Sequence, residues 1–328
     1  MKKNIALLTG GYSKEYAISV ETGKVVARYL DHDLFNVYPI KITSDKWLYL
    51  DDAGNTGQID RNDFTLTLDG RKISFDAAFI AIHGTPGEDG ILQAYLDMMH
   101  VPYNTCGRTT AALTFNKFFT NEVVKSAGIK IAKTVYLHQR DFYNTADILS
   151  VTGLPCFVKP NSNGSSVGMN KVMNSESLEP AIQAAFLTDT EVLIQEYIEG
   201  MEVTCGIYEK NGQPVILPLT EVVPHNEFFD YEAKYTLGKA DEISPARISD
   251  ALTQECRQMS LRLYRYLNCR GIVRFDYILK NLSDFYFLEA NTVPGLSEAS
   301  IVPKQAAAMG IGLKEFFTDL VNETLLNH

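Results

Sequence analysis

Two apolar runs bound what this chain can fold into. Residues 4–9 (NIALLT) and 76–82 (DAAFIAI) show no polar alternation, so each reads as a strand covered on both faces. Gly10-Gly11 ends the first run, a helical pattern follows from about Ile18 to Leu30, another strand covers 35–42, and 91–100 (ILQAYLDMMH) reads as a helix. Strand, loop and helix in that order predict an open, mainly parallel α/β sheet, whose ligands collect at the carboxyl ends of its strands. TGGYSKE and HGTPGEDG both fall at such ends.

Past residue 108 the pattern changes. A second helix over 108–126 carries Lys117, and strands and hairpins follow: TVYL, PCFVKP, GMNKV, VLIQEYI, EVTCGIY and PVILPLTEV. Residues 224–245 are polar and aromatic without a period, which reads as a long functional loop. A helix over 247–267, strands over 271–279 and 285–291, and a helix over 312–326 complete the chain. Its 328 residues predict two or three domains. The net charge of −10 argues against a nucleic-acid partner, which is usually met by a basic patch, but leaves a nucleotide open as a small ligand. Cysteines 106, 156, 205, 256 and 269 form no CxxC pair and read as reduced, buried thiols of a cytoplasmic protein. The apolar run after Met1 is too short for a secretory core, and no run reaches membrane-spanning length.

The segment KPNSNGSSVGMNKV, 159–172, is costly to order because glycine and serine lose much backbone freedom. Its backbone N–H groups beside a lysine suit a phosphate, and a solvated hairpin loop explains the same composition. GxxxxGK[ST] is missing, as is GxGxxG after the first strand, so any nucleotide is held another way.

The densest constellation is GIVRFDYILKNLSDFYFLEANTVPG, 271–295. A hairpin centred between Leu282 and Ser283 sets Asp276 opposite Glu289, with Arg274 and Asn291 on the same face. Like charges facing each other in a sheet repel unless a cation intervenes, and an all-oxygen set suits Mg²⁺ shared with phosphate. The alternative is a surface hairpin in which Arg274 neutralises both acids. In HGTPGEDG, Glu88 and Asp89 read as caps of the helix near Ile91, while His83 stands unexplained at the strand tip. QEYIEGMEV, 195–203, reads as a linker strand with Glu202 as a candidate for ribose hydroxyls, or as an ordinary strand and turn.

Taken together, GGYSKEYAISVETG, HGTPGEDGILQAY, VKPNSNGSSVGMNKV, FFDYEAKY and GIVRFDYIL…FLEANTVPGLSEASIVP resemble, in order, the segments of the D-alanine–D-alanine ligases of the ATP-grasp superfamily. The resemblance covers nearly the whole chain. Ala94 stands where the family signature usually has glycine, and Phe275 where a smaller apolar residue is usual; both read as packing changes.

The resemblance implies a three-lobed ATP-grasp fold: an N-terminal α/β domain over 1–104, a central subdomain over 105–200 and a C-terminal subdomain over 201–328. It implies that Lys117 and Lys159 contact the phosphates of ATP, that Ser165 and Ser166 lie in the covering loop, and that Lys234 reaches in from the ω-loop. Gln195, Glu196 and Ile198 hold adenine, and Glu202 the ribose. Asp276, Glu289 and Asn291 bind two Mg²⁺ or Mn²⁺ ions. Glu15 and His83 recognise the first D-alanine, Ser300 and Ile301 receive the carboxylate of the second, and Arg274 with the backbone of Gly295 faces the reacting carbonyl. Glu15, Ser165 and Tyr235 form a hydrogen-bonded group, and a tyrosine rather than a histidine in EAKY favours D-alanine over D-lactate. A cytoplasmic homodimer acting on D-alanine and ATP for peptidoglycan precursor synthesis, with no membrane or nucleic-acid partner, is the expectation. The rivals are another carboxylate–amine ligase on the grasp fold, of the D-Ala–D-Ser or D-Ala–D-lactate type, and a non-catalytic nucleotide sensor.

Overall fold

The computed structural model describes residues 1–51, 53–162, 168–224 and 240–326. The described strands form three sheets. In the first, β1 (Lys3–Gly10) lies between β2 (Phe35–Ile42) and β7 (Ala77–Ile80), parallel to both. Helix α1 (Tyr16–Tyr29) makes the crossover and buries Ser19, Thr22, Gly23 and Val26, the i, i+3, i+4, i+7 stripe of a surface helix. The expectation of a mainly parallel sheet fails beyond this centre. Strands β3 (Trp47–Leu50), β4 (Thr56–Asp60), β5 (Thr65–Leu68) and β6 (Arg71–Ser74) extend β2 as antiparallel hairpins. The last turns on Asp69-Gly70, both at positive φ (49° and 73°), as the twist of a two-residue hairpin demands.

Helix α2 (Ile91–Met98) follows β7. The helix expected over 108–126 is two, α3 (Arg108–Phe115) and α4 (Lys117–Ser126). Asn116 between them is extended and its side chain accepts the Phe119 N–H, so a strong N-cap restarts the helix at Lys117. The antiparallel second sheet orders β11 (Asn170–Val172), β10 (Cys156–Pro160), β12 (Glu191–Glu196) and β9 (Thr134–His138), with α5 (Thr145–Thr152) and α6 (Leu178–Phe186) packed on it. The third orders β16 (Ala240–Ile243), β15 (Thr220–Pro224), β13 (Met201–Lys210), β17 (Val273–Lys280), β18 (Asp284–Asn291) and β8 (Lys130–Ile131); β14 (Gln213–Ile216) pairs with β13. One face of this sheet packs on α7 (Asp250–Tyr266) and α4. Helices α8 (Ile301–Ala308) and α9 (Leu313–Leu326) end the described chain.

The β17–β18 hairpin confirms the Asp276/Glu289 pairing by a route the spacing did not predict. Its turn centres on Leu282, because Lys280 pairs with Asp284, and an unpaired Leu288 then restores the register at the acids. The hydrophobic pattern requires that extra residue. Phe285 and Phe287 must share the core face with Tyr277 and Leu279, yet Glu289 and Asn291 must share the opposite face with Asp276 and Arg274. A strand of strict period two cannot satisfy both, and a bulge can.

Two devices set the first sheet against the third. Phe316, Phe317 and Leu320 of α9 lie in one core with Ile5, Leu7 and Phe79 of the first sheet and Tyr208 and Ile272 of the third. Residues 103–106 also clasp 270–271: the Arg270 guanidinium stacks 4.5 Å from the Tyr103 ring and its Nε donates to the Thr105 carbonyl at 3.2 Å. Gly271 sits at φ +63°, and a Cβ there would lie 2.0 Å from the Asn104 carbonyl oxygen. Gly271→Ala therefore combines backbone strain with a collision that neither backbone can avoid. A loss of about 2–4 kcal/mol in urea denaturation is expected; a loss below about 0.5 kcal/mol, typical of a neutral surface change, would contradict the clasp.

Candidate active site

The first wall grows from the carboxyl ends of β1 and β7. Gly10 and Gly11, at φ 94° and 102°, turn the chain sharply. Ser19 Oγ then bridges the sheet, accepting the Gly10 N–H at 2.8 Å and donating to the Ala81 carbonyl at 2.7 Å. Ser13 Oγ donates to the His83 carbonyl at 2.8 Å. Glu15, at the start of α1, and His83 are both buried. A Cβ on Gly84, at φ +69°, would lie 2.7 Å from Ser13 Cβ and 2.9 Å from its Oγ, so the absent side chain makes room for Ser13. His83 Nδ1 lies 3.0 Å from the Val293 carbonyl, which can only accept, so Nδ1 carries the proton. Nε2 is then the acceptor for Thr22 Oγ1 at 3.3 Å.

The paired acids of HGTPGEDG divide their work. Asp89 Oδ1 accepts the Ile91 N–H at 3.1 Å from just outside the N-cap, Gly90, which has no side chain to cap with. Glu88 departs from the capping expectation: it turns inward and its Oε2 accepts the Gly84 N–H at 2.9 Å.

The second wall comes from the middle sheet. Lys159 is buried on β10. Lys117, at the start of α4, places Nζ 3.4 Å from the Asn161 carbonyl. Asn161 links the two elements, its Oδ1 accepting the Phe118 N–H at 2.9 Å and its Nδ2 donating to Glu191 Oε2 at 2.5 Å. Gln195 is buried with Nε2 donating to Thr134 Oγ1 at 2.8 Å, while Glu196 Oε1 accepts the Lys133 N–H at 2.9 Å. Ile198 follows the end of β12, and Glu202 sits half-buried on β13. Ser165, Ser166, Lys234 and Tyr235 lie outside the described residues.

The third wall is the hairpin. Arg274 grips Asp276 with both ends of its fork, Nε to Oδ1 and Nη2 to Oδ2, each at 2.8 Å. Asn291 Nδ2 donates to the same Oδ2 at 2.9 Å. Glu289 faces Asp276 across the ladder. Among the described residues no three His, Cys, Asp or Glu side chains converge on a metal position; the set here is two carboxylates and a carboxamide. The donors are all oxygen, the ligand type a hard cation takes, and a carboxylate paired with arginine can also serve a cation through its other lone pairs. The ion pair and a cation site are thus compatible.

Beyond the hairpin, Gly295 lies against Ser300: a Cβ would come 2.8 Å from Ser300 Oγ. That oxygen is bound to the Ser297 N–H (3.1 Å) and Ser297 Oγ (2.7 Å). The N–H groups of Ile301 and Val302, in the first turn of α8, have no intrahelical acceptor, and Pro303 has no N–H at all. The turn therefore leaves backbone donors of the kind that bind an anion.

The sequence signature of the D-ala D-ala ligase N-terminus matches residues 4–106, and that of the D-ala D-ala ligase C-terminus matches 123–322. A D-alanine–D-alanine ligase of Flavobacterium johnsoniae is 47% identical over 98% of this chain and 99% of its own length. The chain belongs to the D-alanine–D-alanine ligase family. Among solved structures, D-alanyl-alanine synthetase A from Vibrio cholerae matches with a TM-score of 0.89 at 29% identity, over 99% of both chains. The VanG D-Ala:D-Ser ligase from Enterococcus faecalis matches at 0.88 and 28%, over 99% of this chain and 100% of its own. A D-alanine–D-alanine ligase from Bacillus anthracis complexed with ATP matches at 0.79 and 26%, over 99% of this chain and 98% of its own.

In this ligase the three walls act on one another electrostatically. Burial pushes the His83 imidazole below its ordinary value against the pull of Glu15, which keeps the ring neutral. Arg274 is held above its ordinary value: burial opposes this, but the charge and hydrogen bonds of Asp276, with Glu289 and Glu202 behind them, prevail. Burial, then the Glu15 charge, push the Glu88 carboxyl up to about 8, partly offset by its bond to Gly84 N–H and by Lys117. Glu88 is thus a carboxylic acid at neutral pH. Between its ordinary 4.5 and about 8 the folded state binds the extra proton, so stability falls as pH rises through that window. Glu88→Gln, measured in chelator, should therefore gain on the wild type from pH 5 to pH 9, by a few kcal/mol in total. A difference in melting temperature that stays flat with pH would refute the assignment.

Proposed function

We propose that the chain joins two molecules of D-alanine into D-alanyl-D-alanine at the expense of ATP, supplying a peptidoglycan precursor. The observation that carries this reading is the convergence of Arg274, Asp276, Glu289 and Asn291 on one sheet face, coupled to Glu15, His83 and Glu88 from the first sheet. A carboxylate is a poor acylating agent. Its oxygen first attacks the γ-phosphorus of ATP, breaking the bond to ADP and giving an acyl phosphate. The amine of the second D-alanine then attacks the acyl carbon, loses a proton, and inorganic phosphate leaves.

Each wall has a task in that sequence. Glu15 pairs with the ammonium of the first D-alanine, and neutral His83 is fixed beside it by Val293 and Thr22. Gln195, Glu196 and Ile198 hold adenine, Glu202 the ribose, and Lys117 and Lys159 the phosphates. Arg274, immobilised on Asp276, presents its remaining N–H groups to the oxyanion together with the Gly295 N–H. The N–H groups at Ile301 and Val302, beside Ser300, receive the carboxylate of the second D-alanine. Ser165, Ser166, Lys234 and Tyr235, which lie outside the described residues, complete the ATP-binding and catalytic set in this reading. Asp276, Glu289 and Asn291 would hold Mg²⁺ or Mn²⁺, two ions per site, whose charge offsets that of the transferring phosphoryl group. The domain division at 104 and 200, a cytoplasmic location and a homodimer are part of the same reading. No helix among the described residues is long and apolar enough to cross a membrane.

The family similarity at 47% identity favours D-alanine as second substrate over D-serine or D-lactate. The test is ADP release and product identification with D-alanine, D-serine and D-lactate in competition, where D-alanyl-D-alanine should dominate at pH 7. Depsipeptide or D-alanyl-D-serine as main product would overturn it. Glu289→Gln keeps shape but removes one charge, and turnover should fall by a hundredfold or more, in line with several kcal/mol of metal-borne stabilisation. Near-normal turnover at ordinary Mg²⁺ would exclude Glu289 as a ligand.

A further inference from the structure

Gln305 lies on α8, one turn beyond the end that carries Ser300 and Ile301, and is fully buried. Its Nε2 donates to the Thr204 carbonyl at 3.2 Å and approaches Thr204 Oγ1 at 3.4 Å. A carbonyl only accepts, so the amide must present its NH₂ group there, and Oε1 faces the other way. Among the described residues Oε1 has no hydrogen-bond partner. It lies flat on β13, where a Cβ on Gly206 would come within 2.5 Å of it. Thr204 and Gly206 are the residues paired with Asp276 and Arg274 in the β13–β17 ladder. A single amide thus spans the two strand positions opposite the ion pair that organises the site.

A buried acceptor without a donor is costly, and methionine would fill the same volume without one. The amide is therefore poorly explained by stability. We propose that Gln305 is a positioning residue: its bond to Thr204 pins α8 on β13 and thereby sets the distance between the anion-binding turn at Ser300–Val302 and the Arg274 guanidinium. This rests on the reading above, in which that turn holds the carboxylate of the second D-alanine. Gly206 serves the same contact, since any side chain there would lift the amide and the helix with it. The substrate most sensitive to such a lift is the second D-alanine, which must reach from α8 to the acyl carbon beside Arg274; ATP, held by the other walls, is not.

The experiment compares Gln305→Met and Gly206→Ala with the wild type, with the D-alanine dependence of ADP release resolved into first-site and second-site constants. The expected result is a rise of about tenfold in KM for the second D-alanine in either variant. KM for ATP and for the first D-alanine, and the melting temperature of Gln305→Met, should stay close to wild type. An unchanged second-site KM in both variants, or a loss spread evenly over all constants with a lowered melting temperature, would overturn the proposal. The wild type separates the two ideas. If it makes no D-alanyl-D-alanine, the functional reading fails; if it does and the variants match it, only the role of Gln305 fails.

Discussion

The bidentate pair between Arg274 and Asp276 is the interaction on which the rest of the site depends. Both side chains are largely withdrawn from water, at 16% and 3% exposure, and burying two charges is repaid only when the geometry is close to ideal and the remaining polar atoms are satisfied. Residues two apart on one strand share a face, which fixes the fork but leaves its surroundings to the neighbouring strands. On one side β13 offers Thr204 and Gly206, small enough to let the guanidinium and α8 lie close. On the other, β18 offers Asn291, which bonds Asp276, and Glu289, which adds a second acid. The bulge at Leu288 follows from this demand, since polar and apolar faces must both be served by one strand.

The opposite wall is positioned by packing rather than by charge. Helix α9 welds the first sheet to the third through Phe317 against Phe79 and Phe316 against Tyr208. The clasp at Gly271 fixes the same pair of sheets from another side. His83 then reaches Val293 across that junction, so the tip of β7 and the segment before Ser300 are held to one another by a hydrogen bond. The walls carried by the first and third sheets are thereby held to one another.

Much of this was legible in the sequence, for identifiable reasons. Strands β1, β2 and β7 are long or continuously apolar, and α1 has a clean helical stripe. The facing of Asp276 and Glu289 followed from spacing alone, even though the turn lay one position away and a bulge compensated. The strands over 47–74 were missed because four or five residues are too few to show a period, although Asp69-Gly70 between TLTL and RKIS is a hairpin signal that could have been read. The break at Asn116 hid inside an amphipathic run, where only the capping chemistry of asparagine betrays it. Helices α5, α6 and α8 are eight or nine residues long and were passed over between stronger strand patterns. Two adjacent acids before a helix look interchangeable; only the fold shows that Asp89 serves the Ile91 N–H while Glu88 turns back to the Gly84 N–H. Gln305 carried no signal, since its role arises from a glycine a hundred residues earlier on a strand it touches only in three dimensions.

Charge balance ties these residues to the proposed chemistry. Among the described site residues, Glu15, Glu196, Glu202, Asp276 and Glu289 are formally negative, while Lys117, Lys159 and Arg274 are positive. His83 is kept neutral by burial, and Glu88 is kept neutral by a carboxyl raised to about 8. Had Glu88 been ionised, six carboxylates would face three cations in a chain that already carries a net charge of −10. Its protonation lowers that excess at the place where a triphosphate would approach. The remaining excess of two carboxylates among the described residues disfavours a polyanion that arrives without compensating charge. In the proposed reading Asp276 and Glu289 would receive that charge: their facing is unfavourable alone, is relieved in part by Arg274, and would become favourable with divalent cations between the acids and the phosphates. In that reading the acid pair would couple the entry of the nucleotide to that of its metal.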